Sequence, residues 1–318
     1  MSSESTSDVM HGQTVVLTGA SDGIGRAAAR MYVRAGALVV MIGRNEAKTV
    51  AAAQSIMSEC GRRTVTCEIA DLSRQDAVRD LAARLRARLP RIHVLANNAG
   101  AMFLEREVTA EGMERTFALN HLSYFTLTLL LLDQLTAAAT VGAPARIVNV
   151  SSRAHRDARL DLDDLQLTRD FRGWRAYANS KLCNILFTRA LAARLKPSRV
   201  VAHSMHPGVV STRFAVNNGR RGRLLRGLMD VIAISPERGA DTLVWLSHAP
   251  EALSDSGSYW VRRRRRDPSA DALRDADGER LWTESAMCAN IDADALTRGA
   301  RMVGDVAQDA SVGAHAPQ

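Results

Sequence analysis

Tyr177-Ala178-Asn179-Ser180-Lys181 places a phenol and an ammonium four residues apart at the start of an Ala/Leu/Arg-rich helical stretch, Tyr177–Leu195. Helix positions i and i+4 share a face, so both groups can address one site. A phenol with its usual pKa of about 10 is a poor acid–base catalyst at neutral pH; a neighbouring cation stabilises the phenolate and moves it toward the working range. The chain has four tyrosines and three lysines, Lys48, Lys181 and Lys196, and every other basic residue is arginine. Random placement gives only ~0.04 pairs at this spacing, and lysine where arginine is the rule points to a need for a compact charge. A little upstream, the run Arg146–Val150 ends in Ser151-Ser152. A hydroxyl there can bond a substrate carbonyl and stabilise developing negative charge.

A second constellation lies near the N-terminus. The apolar run Thr14–Leu17 enters Thr18-Gly19-Ala20-Ser21-Asp22-Gly23-Ile24-Gly25 and then a helix. Glycines at 19, 23 and 25 permit a tight turn with close ligand approach, and a helix start offers unpaired N–H groups to a pyrophosphate. At the first strand-to-helix junction of a βαβ series this reads as a dinucleotide site. The second strand ends Ile42-Gly43-Arg44-Asn45, without the carboxylate that usually bonds the ribose of NAD. Arg44 can pair a 2′-phosphate, so NADP(H) is expected over NAD(H), with Asp22 mildly adverse.

The elements that position these groups alternate. Apolar β-branched runs at Thr14–Leu17, Leu38–Ile42, Thr64–Ile69, His93–Ala96, Arg146–Val150 and Val200–Ser204 are separated by helical stretches at Ile24–Ala35, Glu46–Cys60, Ser73–Leu89, Met113–Thr136 and Tyr177–Leu195. Strands that are apolar throughout are buried on both faces. With a seventh strand at Ser258–Val261, the expectation is a single α/β domain over 11–296, a doubly wound Rossmann fold whose seven-stranded parallel sheet carries helices on both faces. Residues 153–176 and 212–232 read as insertions on the substrate side, lids or plain surface loops. The ends, 1–10 and 297–318, read as disordered tails.

Composition narrows the class. The 318 residues are 46% hydrophobic and 24% charged, which excludes collagen-like, coiled-coil and wholly disordered chains. Cys60, Cys67, Cys183 and Cys288 show no metal-ligand spacing and fit reduced thiols, so no metal is expected and the location is taken as cytoplasmic. Residues 1–10 lack the apolar core of a secretory signal, and the greasiest stretch, Thr116–Leu132, carries Asn120, His121 and several threonines, so no membrane span is expected. Five of the eight net positive charges sit in Arg262–Arg266, read as a solvated loop after a strand. His203 and His206 lack the company of a zinc site and read as packing or pocket-wall residues.

Together these residues resemble the short-chain dehydrogenase/reductase family over roughly residues 12–262. The likeness rests on the Thr18–Gly25 turn, Asp71-Leu72, Asn97-Asn98-Ala99-Gly100, Asn120, Ser152, Tyr177 with Lys181, and Pro207-Gly208. The segments Ile147–His155 and His206–Val210 are similar, more narrowly, to its retinol-dehydrogenase-like branch. The resemblance implies that Tyr177 exchanges the proton with the carbonyl or alcohol oxygen. Lys181 lowers its pKa and binds the nicotinamide ribose, Ser152 rather than Ser151 orients the substrate oxygen, and Asn120 holds a relay water. It further implies that Gly19, Ser21, Asp22, Gly23, Ile24, Gly25, Arg44, Asp71, Leu72, Asn98, Ala99, Gly100, Pro207, Gly208, Val209 and Thr212 line the cofactor cleft. The 24 residues between Ser152 and Tyr177 exceed the usual family spacing. Apolar faces bearing Leu127, Leu131, Ile185 and Leu186 are either core or the seam of a homodimer or homotetramer.

The expected function is an NADP(H)-dependent oxidoreductase, a ketoreductase or alcohol dehydrogenase, interconverting carbonyl and alcohol on a largely apolar small molecule. A catalytically silent dinucleotide sensor on the same fold is the alternative. Nucleic-acid binding through Arg262–Arg266 is not expected, since the run has no aromatic interleaving.

Overall fold

The computed structural model describes residues 8–140, 142–196, 198–208 and 234–300. Its centre is a sheet of β1 (Thr14–Thr18), β2 (Leu38–Gly43), β3 (Val65–Ile69), β4 (Val94–Asn97), β5 (Ala145–Val150), β6 (Val200–His206), β7 (Tyr259–Val261) and β8 (Arg264–Arg266). The order is β3-β2-β1-β4-β5-β6-β7-β8, with the first seven strands parallel and β8 antiparallel to β7. Around it lie α1 (Gly23–Arg34), α2 (Glu46–Cys60), α3 (Gln75–Arg88), α4 (Arg115–Phe117), α5 (Ser123–Leu130), α6 (Leu132–Ala138), α7 (Gly173–Arg194), α8 (Pro236–Leu246) and α9 (Asp275–Ala289).

Successive residues of each central strand enter different apolar cores. Val15, Leu17, Val39, Met41 and Val148 pack with residues of α1, α2 and α8. Val16, Val40, Ile42, Leu95 and Ile147 pack with α3, α5, α7 and α9. That is why these strands run apolar on both faces through their middle residues rather than alternating. Each such side chain removed from water contributes about 1.5–3 kcal/mol. The chain leaves β1 toward β2 and β3, then returns to β4 on the other side. This reversal opens a crevice at the carboxyl ends of β1 and β4.

Four sequence expectations need correction. The sheet has eight strands, because Arg262–Arg266 is not a loop: Arg262 and Arg263 take positive φ of 51° and 58° as a two-residue hairpin turn, and Arg264–Arg266 pairs back on β7. Arg263 pairs with Asp241 and Arg265 with Asp255 at 3.1 Å, and a charged edge strand resists edge-to-edge association. The stretch 113–136 is broken rather than one helix. Glu114 caps α4 by accepting from the Thr116 and Phe117 N–H groups at 2.7 Å, residues Ala118–Leu122 form a π-helical turn, and Leu131 interrupts the stretch again. The N-terminal tail ends sooner than expected, since Met10 is fully buried and its N–H donates to the Ala35 carbonyl at 2.8 Å. The C-terminal boundary moves too, because residues 293–300 are helical with Thr297 and Ala300 buried.

The insertion after β5 begins with a 3-10 turn, Arg153–Asp157, and α7 starts at Gly173, four residues before Tyr177. The second insertion, 212–232, lies outside the described residues. No helix among the described residues is long and apolar enough to cross a membrane.

Candidate active site

Of the serine pair closing β5, one is structural and the other faces the tyrosine. Ser151 is buried; its hydroxyl donates to the Lys181 carbonyl at 2.7 Å and its N–H to the Met205 carbonyl at 2.7 Å, tying α7 and β6 to the strand end. Ser152 is extended, its Oγ accepts from the Ala154 N–H at 3.2 Å, and its hydroxyl lies near enough to Tyr177 to lower the phenol's pKa. Two histidines hold this turn. His155 Nε2 accepts from the Ser269 N–H at 3.0 Å, which leaves the ring hydrogen on Nδ1 for the Ser152 carbonyl at 2.6 Å. His206 Nδ1 accepts from the Arg153 N–H at 3.2 Å. His203 belongs to packing, bonded to the Ala252 carbonyl at 2.6 Å and the Trp260 indole N–H at 3.2 Å.

Tyr177 and Lys181 follow on α7, both buried. The ammonium lies 5.6 Å from the centroid of the Tyr177 ring and 5.7 Å from that of Tyr124, and donates to the Val150 carbonyl at 3.0 Å. Burial pushes Tyr177 up to about 12, and the neighbouring Ser152 hydroxyl pulls the other way. Burial also brings Lys181 down to about 7, so the lysine, not the phenol, titrates near neutrality.

Asn120 sits in the π-helical turn, a local widening that often marks functional positions. Its side chain is fully engaged. Oδ1 accepts from the Ala101 N–H at 2.9 Å, while Nδ2 donates to the Ala101 carbonyl at 2.9 Å and to Ser180 Oγ at 3.0 Å. Its main-chain carbonyl accepts from Asn184 Nδ2 at 2.9 Å. Gly100 is next to it: a Cβ there would lie 3.2 Å from Asn120 Oδ1 and 3.4 Å from Lys181 Nζ.

Across the crevice, the glycine turn is stapled to the end of β4. Thr18 Oγ1 accepts from the N–H groups of Asn98 and Ala99 at 2.8 and 3.0 Å, and Asn98 Nδ2 donates to the carbonyls of Thr18 and Gly19. Gly19 has φ +66°, and a Cβ there would come 2.8 Å from Ala99 Cα; one on Gly25 would collide with the Gly19 carbonyl. Only glycine lets this turn close against β4. Asp22 caps α1 through the Gly23 N–H at 2.8 Å and pairs with Lys48 at 2.6 Å, so its charge is offset beside the turn. Ser21, Gly23 and Ile24 share that turn, half-buried. Arg44 is exposed just after β2. The register pairs Gly43 with Ile69, which brings Arg44 toward Ala70 and Asp71. Asp71 accepts from the Ser73 N–H and hydroxyl at 3.1 and 2.7 Å, and Leu72 is buried. Pro207 and Gly208 follow β6, the latter with φ +98°. Val209 and Thr212 lie outside the described residues.

The glycine turn, Arg44, Asp71, Asn98–Gly100, Ser152 and Pro207 thus follow carboxyl ends of strands, while Asn120 lies in the π-helical turn and Tyr177 and Lys181 on α7. The glycine turn, Asn98–Gly100, Asn120, Ser152, Tyr177 and Lys181 converge, while Arg44 and Asp71 lie on the β2–β3 side. Sequence reading missed Lys48, His155 and Asn184. Asn184 had a legible signal, three residues past Lys181 on the same helix face.

A family model for short chain dehydrogenases matches residues 13–221. Human retinol dehydrogenase 13 is 36% identical over 288 residues, covering 89% of this chain and 86% of that protein. A crystal structure of an uncharacterised protein from Mycobacterium Paratuberculosis superposes with a TM-score of 0.72 at 29% identity, covering 89% of this chain and 96% of the other. A Shigella flexneri short chain dehydrogenase complexed with NADP superposes with a TM-score of 0.60 at 25% identity, covering 81% and 100%. The chain is an oxidoreductase that belongs to the short-chain dehydrogenase family, on its retinol-dehydrogenase-like branch.

Proposed function

We propose that this protein is an NADP(H)-dependent enzyme interconverting a carbonyl and an alcohol on a largely apolar small molecule. The observation that carries the reading is a buried Tyr177 beside Ser152, one helical turn from a buried Lys181 and opposite a glycine turn shaped for a pyrophosphate. The residues present fit a dinucleotide: a Cβ-free cradle at Gly19 and Gly25, the first turn of α1, and Asp71 and Asn98 along the crevice. Arg44 is a cation with no partner among the described residues, and Lys48 offsets the one acid of the turn; both suit a 2′-phosphate. The NADP complex of the Shigella flexneri relative supports the same choice.

When bound, the cofactor supplies or accepts the hydride. Tyr177 gives its proton to the carbonyl oxygen during reduction and takes it back during oxidation. Ser152 donates a hydrogen bond to the same oxygen as negative charge builds there. Lys181 in its ammonium form stabilises the phenolate left behind. Met102, Ala154 and Ala178 make an apolar cluster with Tyr177, and the half-exposed Trp174 ring lies 6.0 Å from the Tyr177 ring. That lining, with retinol dehydrogenase 13 as a relative, favours an apolar substrate.

The test is NADPH and NADH consumption against ketones and aldehydes of graded size and polarity. Turnover with NADPH that improves with apolar bulk is expected; no consumption with any carbonyl overturns the reading. Arg44→Asp should cut kcat/KM for NADPH by about 10- to 100-fold, the scale of a charge-assisted contact, and leave NADH relatively favoured. An unchanged preference would place the phosphate against other residues.

A further inference from the structure

Behind the Tyr–Lys pair runs a line of polar groups that the proposed chemistry leaves unused. Asn184, His121 and Ser285 are each fully buried, on α7, the π-helical turn and α9. Asn184 Nδ2 donates to the Asn120 carbonyl at 2.9 Å and to the Val150 carbonyl at 3.3 Å, the oxygen that also takes the Lys181 ammonium. Asn184 Oδ1 meets His121 Nδ1 at 3.4 Å, and His121 Nε2 meets Ser285 Oγ at 2.9 Å.

Hydrogen counting gives this line one direction. Burial holds the His121 ring neutral, so it carries a single N–H. The amide oxygen can only accept, so that hydrogen is on Nδ1. Nε2 must then accept from the Ser285 hydroxyl. The Asn184 amide is thereby locked with its NH2 toward the two carbonyls and cannot flip, because a flip would set NH2 against N–H and oxygen against two carbonyl oxygens. Such an arrangement is costly to leave half-satisfied, and an apolar residue in each position would pack with less risk.

We infer that Asn184 is a positioning residue for the proton path: oriented by His121 and Ser285, it fixes the Val150 and Asn120 carbonyls, and through them where the Lys181 ammonium and a relay water can bind. The inference rests on the reading of Tyr177 and Lys181 given above. With Asn184 on one side and Lys181 on the other, both lone pairs of the Val150 oxygen are taken, which pins the ammonium against the strand end. With Asn184 on the Asn120 carbonyl, that oxygen is held in a set direction, which fixes where a relay water could meet it. The titratable groups facing Lys181 among the described residues are Tyr177 on α7, Tyr124 on α5 and His121 itself.

Four variants separate this role from plain packing. Asn184→Leu removes both halves of the line. It should lower kcat by about tenfold or more while changing the Kd for NADPH, read by fluorescence, less than threefold. His121→Phe should act in the same direction, and the double variant should fall no further than Asn184→Leu alone, since His121 acts through the amide. Asn184→Asp keeps the acceptor for His121 but sets a carboxylate beside Lys181, which favours the ammonium. With only three lysines in the chain, 13C-labelled lysine reads the Lys181 inflection without turnover, assigned by Lys181→Met. That inflection should move at least one pH unit upward in Asn184→Asp.

A kcat within twofold of wild type for Asn184→Leu, additive losses in the double variant, or an unmoved lysine inflection would each overturn the inference. Should the Asn184 variants not fold, unchanged kcat in His121→Phe does so on its own. Failure of the functional reading looks different: the wild type consumes no NADPH on any carbonyl, while the lysine titration still responds to Asn184→Asp.

Discussion

Tyr177→Phe should abolish turnover, with kcat falling by about 10³-fold or more, while NADPH binds within about threefold of wild type. The substitution is clean because of where the ring sits. Tyr177 is 8% exposed; its ring packs with Ala154 and Ala178 and lies 6.0 Å from that of Trp174. Phenylalanine keeps those contacts and removes only the hydroxyl. Ser152→Ala is the less clean experiment, since it also deletes the acceptor that caps the 3-10 turn at Arg153–Asp157. The pH profile offers a further check. Tyr177 is pushed up to about 12 and Lys181 down to about 7, so an inflection in kcat near neutrality belongs to Lys181. It should vanish or move in Lys181→Arg, not follow the phenol. Initial rates in stopped assays, paired with NADPH fluorescence titration, decide it. Retention of more than a few per cent of activity by the phenylalanine variant removes Tyr177 as the acid.

The parts of this site that repeat with the sheet were readable from the chain; those set by cross-element contacts were not. β1, β2 and β4–β7 stood out because both faces of a covered parallel strand must be apolar, and a run such as Val39-Val40-Met41-Ile42 leaves little room for another reading. The glycine turn was legible because a Cβ at Gly19 or Gly25 has nowhere to go. The family resemblance alone chooses Ser152 over Ser151; the physical reason needed the fold, which spends the Ser151 hydroxyl on the Lys181 carbonyl. The raised phenol was likewise illegible: sequence spacing shows the cation nearby but not the burial that pushes the phenol up. The π-helical turn at Ala118–Leu122 left no periodicity to read, because Thr116–Leu132 is buried on nearly all sides, its polar residues Asn120, His121, Ser123, Thr126 and Thr128 included. Arg264–Arg266 as a strand ran against propensity and exists through pairing with β7 and a two-residue turn.

Between pH 6.5 and 4 the protein should lose several kcal/mol of stability, well before its carboxylates are all protonated. The cause is a shared use of histidine. His93 Nδ1 accepts from the Thr14 N–H at 3.0 Å, His155 Nε2 from Ser269, His203 Nδ1 from the Trp260 indole and His206 Nδ1 from Arg153. Protonation would turn each acceptor into a donor facing a donor. Burial adds to this, and is the largest cause holding His121, His203 and His206 down to about 4, with His93 and His155 also lowered. Unfolded histidines bind protons at about pH 6.5, so between there and the folded values the unfolded chain binds more protons than the native one. Stability is therefore fully present above pH 6.5, falls as pH drops toward 4, and has lost this contribution below. For the fully buried His121 and His203, each shift corresponds to about 3 kcal/mol at most, against a usual total of about 5–15 kcal/mol. Urea unfolding at pH 7.5, 6.5, 5.5 and 4.5 measures it, and His203→Gln should flatten the slope by keeping an acceptor for Trp260 that cannot be protonated. A stability constant across that range would mean these rings bind protons in place. Because His155 and His206 both hold the Ser152 turn, the catalytic end of the sheet should be the first part of the fold to feel the acid.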